Sequence, residues 1–167
     1  MTQKIMFQFP GQGSQAVGMG GSLAEAFPVA RAVFEEVNDA LGEDLFRLMQ
    51  DGPEDDLRLT RNAQPALFAA SMAALAVLKE KTGKEISAMA SFVAGHSLGE
   101  YSALAAAGTL AIGDAARLLR LRGDSMQDAV PAGEGVMAAI LGTEEALIDE
   151  ITTEASAGGV IQLANDN

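Results

Sequence analysis

Cysteine is absent from this 167-residue chain. The chain therefore holds no disulfide, no thiolate metal ligand and no cysteine nucleophile, which leaves oxygen nucleophiles as candidates. Basic residues are also scarce, with 11 Lys and Arg against 23 Asp and Glu and a net charge of -12. This charge disfavours nonspecific attraction to phosphate backbones and anionic lipids, so neither nucleic-acid binding nor membrane binding is expected.

Long apolar runs are missing as well. The longest, residues 66–78 interrupted by Ser71, is shorter than the roughly 20 residues that cross a bilayer. The first ten residues contain too short an apolar run for a signal peptide. We therefore expect a cytoplasmic protein.

What is present indicates alternating β and α elements. Eighteen glycines and five prolines separate short apolar runs. The pattern predicts strands over residues 5–9 and 89–94, and helices over 28–41, 65–81, 98–107 and about 113–127. Residues 133–167 are predicted to form one β–α–β unit, with strands over 136–141 and 160–164 and a helix over 143–155 capped by Thr143. Two strands are too few for a stable sheet, so this unit should need strands from elsewhere.

Ser97 lies at the centre of Gly95-His96-Ser97-Leu98-Gly99, between a predicted strand and a predicted helix. A serine on such a sharp turn is exposed, and the flanking glycines permit the strained backbone that the turn requires. The N-terminus of the following helix can stabilise an oxyanion. The motif predicts a nucleophile, although an ordinary serine in an incidental turn is the alternative.

Arg122 is singled out by a helical wheel of residues 114–127. One face collects Ala115, Leu118, Leu119, Met126 and Arg122, whereas the opposite face collects Arg117, Arg120, Asp124 and Gln127, with Arg120 and Asp124 predicted to form an exposed pair. A guanidinium on an apolar face needs a carboxylate partner. That carboxylate is either a bound ligand or an internal acid such as Glu100.

Two further sequence features are candidate elements of a functional site. Gly11-Gln12-Gly13 follows the first strand and is compatible with a catalytic turn, a phosphate cradle or a structural glycine turn, but it matches neither dinucleotide nor P-loop motifs. His96 is the single histidine of the chain. A residue adjacent to the serine is poorly placed to accept its proton, so His96 is predicted to support or line the site.

Together, Gly11-Gln12-Gly13-Ser14-Gln15, Gln64-Pro65-Ala66-Leu67 and the segment 95–102 resemble the malonyl-CoA:acyl carrier protein transacylase family, and the similarity extends through Arg122-Gly123 to the end of the chain. The resemblance implies transfer of a malonyl group from a coenzyme A thioester to a serine, and then to the phosphopantetheine thiol of acyl carrier protein, in fatty acid biosynthesis. It implies no metal and no permanently bound cofactor.

The resemblance also implies roles for individual residues. Ser97 would be the nucleophile, the backbone N–H groups of Gln12 and Leu98 would form the oxyanion hole, and Arg122 would bind the malonyl carboxylate. Gln64, His96 and Met126 would line the substrate site. For Gln64 the alternative is a polar residue at a helix start, and for Met126 an ordinary core position.

The family fold implied by the resemblance is an α/β-hydrolase-like three-layer core with a parallel sheet and a small ferredoxin-like subdomain. Residues 1–132 would form the N-terminal part of the core, and residues 133–167 an incomplete subdomain. The family's base histidine has no counterpart here. We therefore expect the chain alone to be inactive and to require the missing C-terminal half of the same enzyme.

Two other functions remain open from the sequence. A serine esterase or lipase uses the same turn, but it has no need of a buried cation because its ester substrates are neutral. A non-catalytic binding module that retains the fold is the other alternative.

Overall fold

The computed structural model describes residues 4–130, 133–138 and 140–165. The chain divides into two compact units, Met1–Ala132 and Gly133–Asn167. Each unit is described by itself below.

The sheet of the first unit positions the candidate site. Strands β1 (Met6–Phe9) and β2 (Phe92–Gly95) pair in parallel, with Phe9 opposite Gly95. Both predicted strands are confirmed, but β2 begins three residues later than expected because residues 86–89 form a short helix. Since the carboxyl ends of parallel neighbours meet at one edge, the Gln12 loop and the Ser97 turn lie side by side.

The helices of the first unit, in chain order, are α1 (Gly21–Ala26), α2 (Pro28–Leu41), α3 (Leu45–Asp51), α4 (Glu54–Arg58), α5 (Thr60–Thr82), α6 (Ile86–Met89), α7 (Gly99–Ala106) and α8 (Ile112–Ala129). The prediction for α2 is confirmed at both ends, where Pro28 begins the helix and Gly42 closes it in the left-handed conformation. None of the described helices combines the length and the apolar character needed to cross a bilayer.

Helix α5 begins earlier than its proline suggests. It starts at Thr60, so Pro65 lies inside the helix. Gln64 is buried within that helix, which excludes the alternative of a polar residue at the helix start. Two N–H groups of the first turn, those of Asn62 and Ala63, donate to the Leu59 carbonyl. These bonds let the helix form ahead of the proline, which local sequence signals did not indicate.

The hydrophobic core surrounds α5, which packs against α2 and α8. Its largest buried side chains include Phe34 of α2 and Phe68 of α5, both at most 1% exposed. Phe34 also stacks on Phe46, with ring centroids 4.4 Å apart. This core holds α5 against α2 and α8.

The helical wheel of α8 was only partly right. Ala115 and Leu119 are buried, but Leu118 and Met126 are 42% and 41% exposed. Arg120, predicted to be exposed, has a side chain that is only 13% exposed. The buried face of α8 differs from the one that the helical wheel predicts, because α8 packs against both α5 and α2.

The predicted pair of Arg120 and Asp124 is also wrong. Asp124 instead forms an ion pair with Arg61 of α5 at 3.1 Å, and Arg120 pairs with Glu43, which follows α2. Both charged residues of the predicted pair thus bind residues outside α8. A helical wheel of one helix contains only that helix, so it could not have identified these partners.

Gly123 marks the closest approach of α8 to α5. A β-carbon there would lie 2.6 Å from the Arg61 α-carbon and 2.9 Å from the Thr60 carbonyl oxygen, both main-chain atoms that cannot rotate away. We expect Gly123→Ala to destabilise the complete protein by about 1–3 kcal/mol, measured by urea unfolding. Gly158→Ala, which meets no atom within 4 Å, is the control. Equal midpoints for the two variants would contradict this contact.

The second unit contains helix α9 (Glu145–Ala155) followed by a 3₁₀ turn at Ser156–Gly158. The predicted helix is confirmed, but the residue before it is Glu144 and no side chain caps it, so the Thr143 cap is wrong. Neither predicted strand is formed in the described residues of 136–141 and 160–164, while Ala139 lies outside them. Val136 is 99% exposed and Val160 98%. A strand requires a hydrogen-bonded neighbour, and the described residues of this unit supply none.

Candidate active site

Ser97 occupies a strained turn between β2 and α7. Its φ of +54° makes it the single non-glycine residue with positive φ in the described chain. A left-handed conformation costs a non-glycine residue about 1–2 kcal/mol, and such strain is concentrated at functional sites. The side chain is exposed. The predicted strand–turn–serine–helix arrangement is therefore present.

The two glycines of the motif are required by close packing. A β-carbon on Gly95 would overlap the main chain of Gly99 across the turn. A β-carbon on Gly99 would overlap the Phe9 carbonyl and lie 2.8 Å from the carbonyl oxygen of Pro10. The Ser97 turn is thus pressed directly against the end of β1.

Arg122 reaches across from α8 to the serine. Its Nη2 donates to Ser97 Oγ at 3.0 Å, and its Nη1 donates to Gln64 Oε1 at 2.6 Å. Among the described residues, no carboxylate forms an ion pair with Arg122, and the internal partner considered from the sequence, Glu100, is exposed on α7. A cation with a bidentate donor face therefore lies within hydrogen-bond distance of the candidate nucleophile.

Gln64 orients that cation. Its side chain is fully buried, and its Nε2 lies 3.4 Å from Met126 Sδ while its oxygen accepts from Arg122. An amide offered as an acceptor fixes the guanidinium without neutralising its charge. Gln64 therefore lies beside Arg122 and contacts Met126, whose 41% exposure differs from the core position considered as its alternative.

The Gln12 loop is held to α5 rather than to the serine. Gln12 Nε2 donates to Thr60 Oγ1 at 3.2 Å, and the N–H of Gly13 donates to Gln15 Oε1 at 2.9 Å. Within the described chain, the backbone N–H groups of Gln12 and Leu98 donate to no acceptor. Two unpaired N–H groups at the same sheet edge can both donate hydrogen bonds to an oxygen of a ligand.

His96 packs away from the serine hydroxyl. Its ring Nδ1 lies so close to Gly11 that a β-carbon on Gly11 would overlap it, and the backbone N–H of His96 donates to the Phe9 carbonyl at 3.1 Å. Within the described residues its ring makes no hydrogen bond to Ser97. The sequence contains no second histidine, so these residues present a nucleophile without a histidine base.

Sequence reasoning missed Thr60, Arg120 and Glu43. Thr60 binds the Gln12 side chain, Arg120 joins α8 to the start of α5 through the Arg61 carbonyl and Asn62, and Glu43 pairs with Arg120 from the residues after α2. No motif or periodicity marks these residues, because each acts through a partner more than 45 positions away.

Comparison with known proteins gives a consistent result. A family model described as an acyl transferase domain matches residues 6–158. The malonyl CoA-acyl carrier protein transacylase of Escherichia coli K12 is 47% identical over 167 residues, which cover 100% of this chain and 52% of the relative. Its counterpart of the same name in Bacillus subtilis 168 is 48% identical over 98% of this chain and 50% of the relative. The chain thus spans about half the length of the curated relatives it matches.

Solved structures agree. The crystal structure of an acyl-carrier-protein-S-malonyltransferase from Bartonella henselae matches with a TM-score of 0.92 and 55% identity, over 99% of this chain and 52% of that one. A malonyl-transacylase solved in complex with a type II polyketide acyl-carrier protein matches with a TM-score of 0.85 and 48% identity, over 95% of this chain and 50% of that one. The mixed α/β architecture with its parallel sheet is the fold of these enzymes.

Proposed function

This chain belongs to the acyl transferase family, and from that premise we propose that it is part of an enzyme that transfers a malonyl group from coenzyme A to acyl carrier protein in fatty acid biosynthesis. The observation that carries the proposal is the Arg122 guanidinium 3.0 Å from the Ser97 hydroxyl. A cation there suits an acyl group that ends in a carboxylate, whereas an esterase acting on neutral esters has no use for it.

In the first half-reaction, Ser97 Oγ attacks the thioester carbonyl of malonyl-CoA. The C–O bond forms, the C–S bond breaks, and coenzyme A leaves as the thiol with the proton that the serine loses. The backbone N–H groups of Gln12 and Leu98 stabilise the intermediate oxyanion, and each such donor contributes roughly 3 kcal/mol. In the second half-reaction, the phosphopantetheine thiol of acyl carrier protein attacks the malonyl ester. The new C–S bond forms, the C–O bond to Ser97 breaks, and the proton that the thiol loses returns to the Ser97 oxygen.

Arg122 holds the malonyl carboxylate during both steps. Its planar fork matches a carboxylate in two parallel hydrogen bonds, and Gln64 keeps the fork turned toward the serine. Met126 and His96 line the same region. In this proposal malonyl-CoA and acyl carrier protein are the substrates. The two transfer steps require no metal and no permanently bound cofactor.

The base for Ser97 is assigned to a part of the enzyme outside these residues. A serine hydroxyl needs such a base at neutral pH, and the described residues offer none that touches it.

We assign residues 1–132 to the N-terminal part of an α/β-hydrolase-like three-layer core and residues 133–167 to an incomplete ferredoxin-like subdomain. The missing C-terminal half would add the remaining strands, so the chain alone is predicted to be inactive. A cytoplasmic location stays a prediction.

The proposal is tested by acylation of the complete protein. We expect incubation with malonyl-CoA to add one malonyl mass to the peptide containing Ser97, and subsequent acyl carrier protein to remove it. Acetyl-CoA should label the same peptide far more slowly, because an acetyl group offers Arg122 no carboxylate. Rapid turnover of simple esters without preference for malonyl-CoA would instead support the esterase and overturn the proposal.

A further inference from the structure

Arg120 lies two residues before Arg122 on α8 but points to a different side of the helix, since successive residues turn by about 100°. Its guanidinium is surrounded by acceptors. Nη1 donates to the main-chain carbonyl of Arg61 and to Asn62 Oδ1, both at 2.7 Å, and Nη2 donates to the Glu43 carboxylate. With a side chain only 13% exposed, Arg120 is the most buried partner of any ion pair in the described residues.

The bond to the Arg61 carbonyl replaces a missing helical one. In an α-helix a carbonyl accepts from the N–H four residues later, and the residue four positions after Arg61 is Pro65, which has no N–H. Arg120 supplies that donor from the neighbouring helix. The turn of α5 repaired in this way is the one that carries Gln64, the partner of Arg122.

Other contacts converge on the same turn. Gly123 allows α8 to approach the Arg61 main chain, and the Arg61 side chain pairs with Asp124 at 3.1 Å. Asn62 is itself oriented, because its Nδ2 donates to the Asp56 carbonyl at 2.8 Å and leaves its oxygen for Arg120. Arg122 therefore lies between two residues, Arg120 and Gly123, that both fasten α8 to the start of α5.

Burying the Arg120 guanidinium costs free energy, which its hydrogen bonds must offset. Burial lowers the pKa of the Arg120 guanidinium from its ordinary value, and the negative charge of Asp124 offsets part of that effect. A buried cation is tolerated only where good hydrogen bonds compensate for lost water, and its three acceptors provide them here. An exposed arginine such as Arg117, paired with Asp114 one turn away, needs no such arrangement.

We propose that Arg120 is a positioning residue for substrate binding: by bonding the carbonyl that Pro65 leaves without a donor, it sets the register of α8 and keeps the Arg122 guanidinium between Gln64 and Ser97. The inference rests on the proposed function, since it assumes that Arg122 binds the acyl carboxylate. It predicts that loss of Arg120 weakens selection of malonyl groups without impairing Ser97 itself.

The test measures kcat and KM of the complete protein with malonyl-CoA and with acetyl-CoA. For Arg120→Gln we expect kcat/KM for malonyl-CoA to fall about 10- to 100-fold, because a displacement of about 1 Å is enough for such a loss. The value for acetyl-CoA should change less than about twofold. In an Arg122→Ala background, Arg120→Gln should have no further effect on malonyl transfer.

Three further variants keep the test decisive if Arg120→Gln folds poorly. Glu43→Gln keeps an acceptor oxygen but removes its charge, and should cause a smaller loss in the same direction. Arg120→Lys should also lose part of the malonyl preference, since one ammonium cannot span the same acceptors. Pro65→Ala restores the N–H for the Arg61 carbonyl and should reduce the effect of Arg120→Gln. Arg117→Gln is the matched control and should leave both substrates unaffected.

The outcomes separate the two proposals. If the wild-type protein shows no preference for malonyl-CoA, the proposed function fails and the inference fails with it. If the wild type prefers malonyl-CoA and Arg120→Gln keeps that preference in full, only the inference fails. A parallel fall with both substrates would likewise overturn the inference, because a general structural role predicts it.

Discussion

Replacing Ser97 with alanine is expected to lower malonyl transfer to acyl carrier protein by at least about a thousandfold in the complete protein, because no covalent intermediate can form. The side chain is exposed at the tip of its turn, and alanine adopts the same strained φ at a similar cost. The temperature of unfolding should therefore change little. Transfer to acyl carrier protein and the intact mass after malonyl-CoA treatment measure the loss of the covalent intermediate, and a thermal unfolding curve measures the stability.

Ser91→Ala provides the matched control for Ser97→Ala. Ser91 precedes β2, is exposed, and uses only its backbone N–H, which donates to the Ile5 carbonyl at 2.8 Å. Full activity is expected for this variant. Normal transfer by Ser97→Ala, with a malonyl adduct still present, would assign the chemistry to another residue and overturn the role of Ser97 as nucleophile.

Replacing Arg122 with alanine should reduce kcat/KM for malonyl-CoA by about 10²- to 10³-fold, since two charge-assisted hydrogen bonds to the carboxylate are lost. Transfer of acetyl from acetyl-CoA should fall far less, because that group lacks the carboxylate. The ratio of the two kcat/KM values is the measurement. Arg122→Lys keeps the charge but not the planar fork, and an intermediate ratio is expected.

Gln64→Glu tests the same interaction without removing Arg122. It places a carboxylate where an amide oxygen now lies 2.6 Å from Arg122 Nη1. An internal ion pair should occupy the guanidinium and reduce malonyl selection, while the shape of the site is almost unchanged.

Arg117→Ala on the exposed side of α8 is the control for Arg122→Ala. An equal loss with malonyl-CoA and acetyl-CoA in Arg122→Ala would mean that the arginine supports the structure rather than the substrate.

The Ser97 turn was predictable from the sequence because its causes are local. Gly95 and Gly99 are required by contacts across a five-residue turn and with the adjoining strand end, and the strand and helix on either side follow from apolar patterning. The position of the Gln12 loop beside it was expected only from the family resemblance, and the parallel pairing of the two strands accounts for it.

The exposure of the α8 residues was not predictable in the same way. A helical wheel assigns one buried face from one helix, but α8 packs against both α2 and α5, so that Leu118 becomes exposed and Arg120 becomes buried. The setting of Gln64 was missed for a related reason. Its helix begins ahead of Pro65, and the carbonyl that this leaves unpaired is satisfied by a residue of α8.

By itself, the sequence determined the strained turn at Ser97, the acidic charge, and the lack of a second histidine, because these depend on residue identity and on neighbours within a few positions. Only the tertiary structure decided which groups meet that serine. Arg122 reaches it from 25 positions away, Gln64 orients Arg122 across 58, and Thr60 holds Gln12 across 48. Such contacts arise when helices pack around a common core, and packing is a property of the whole chain rather than of any one segment.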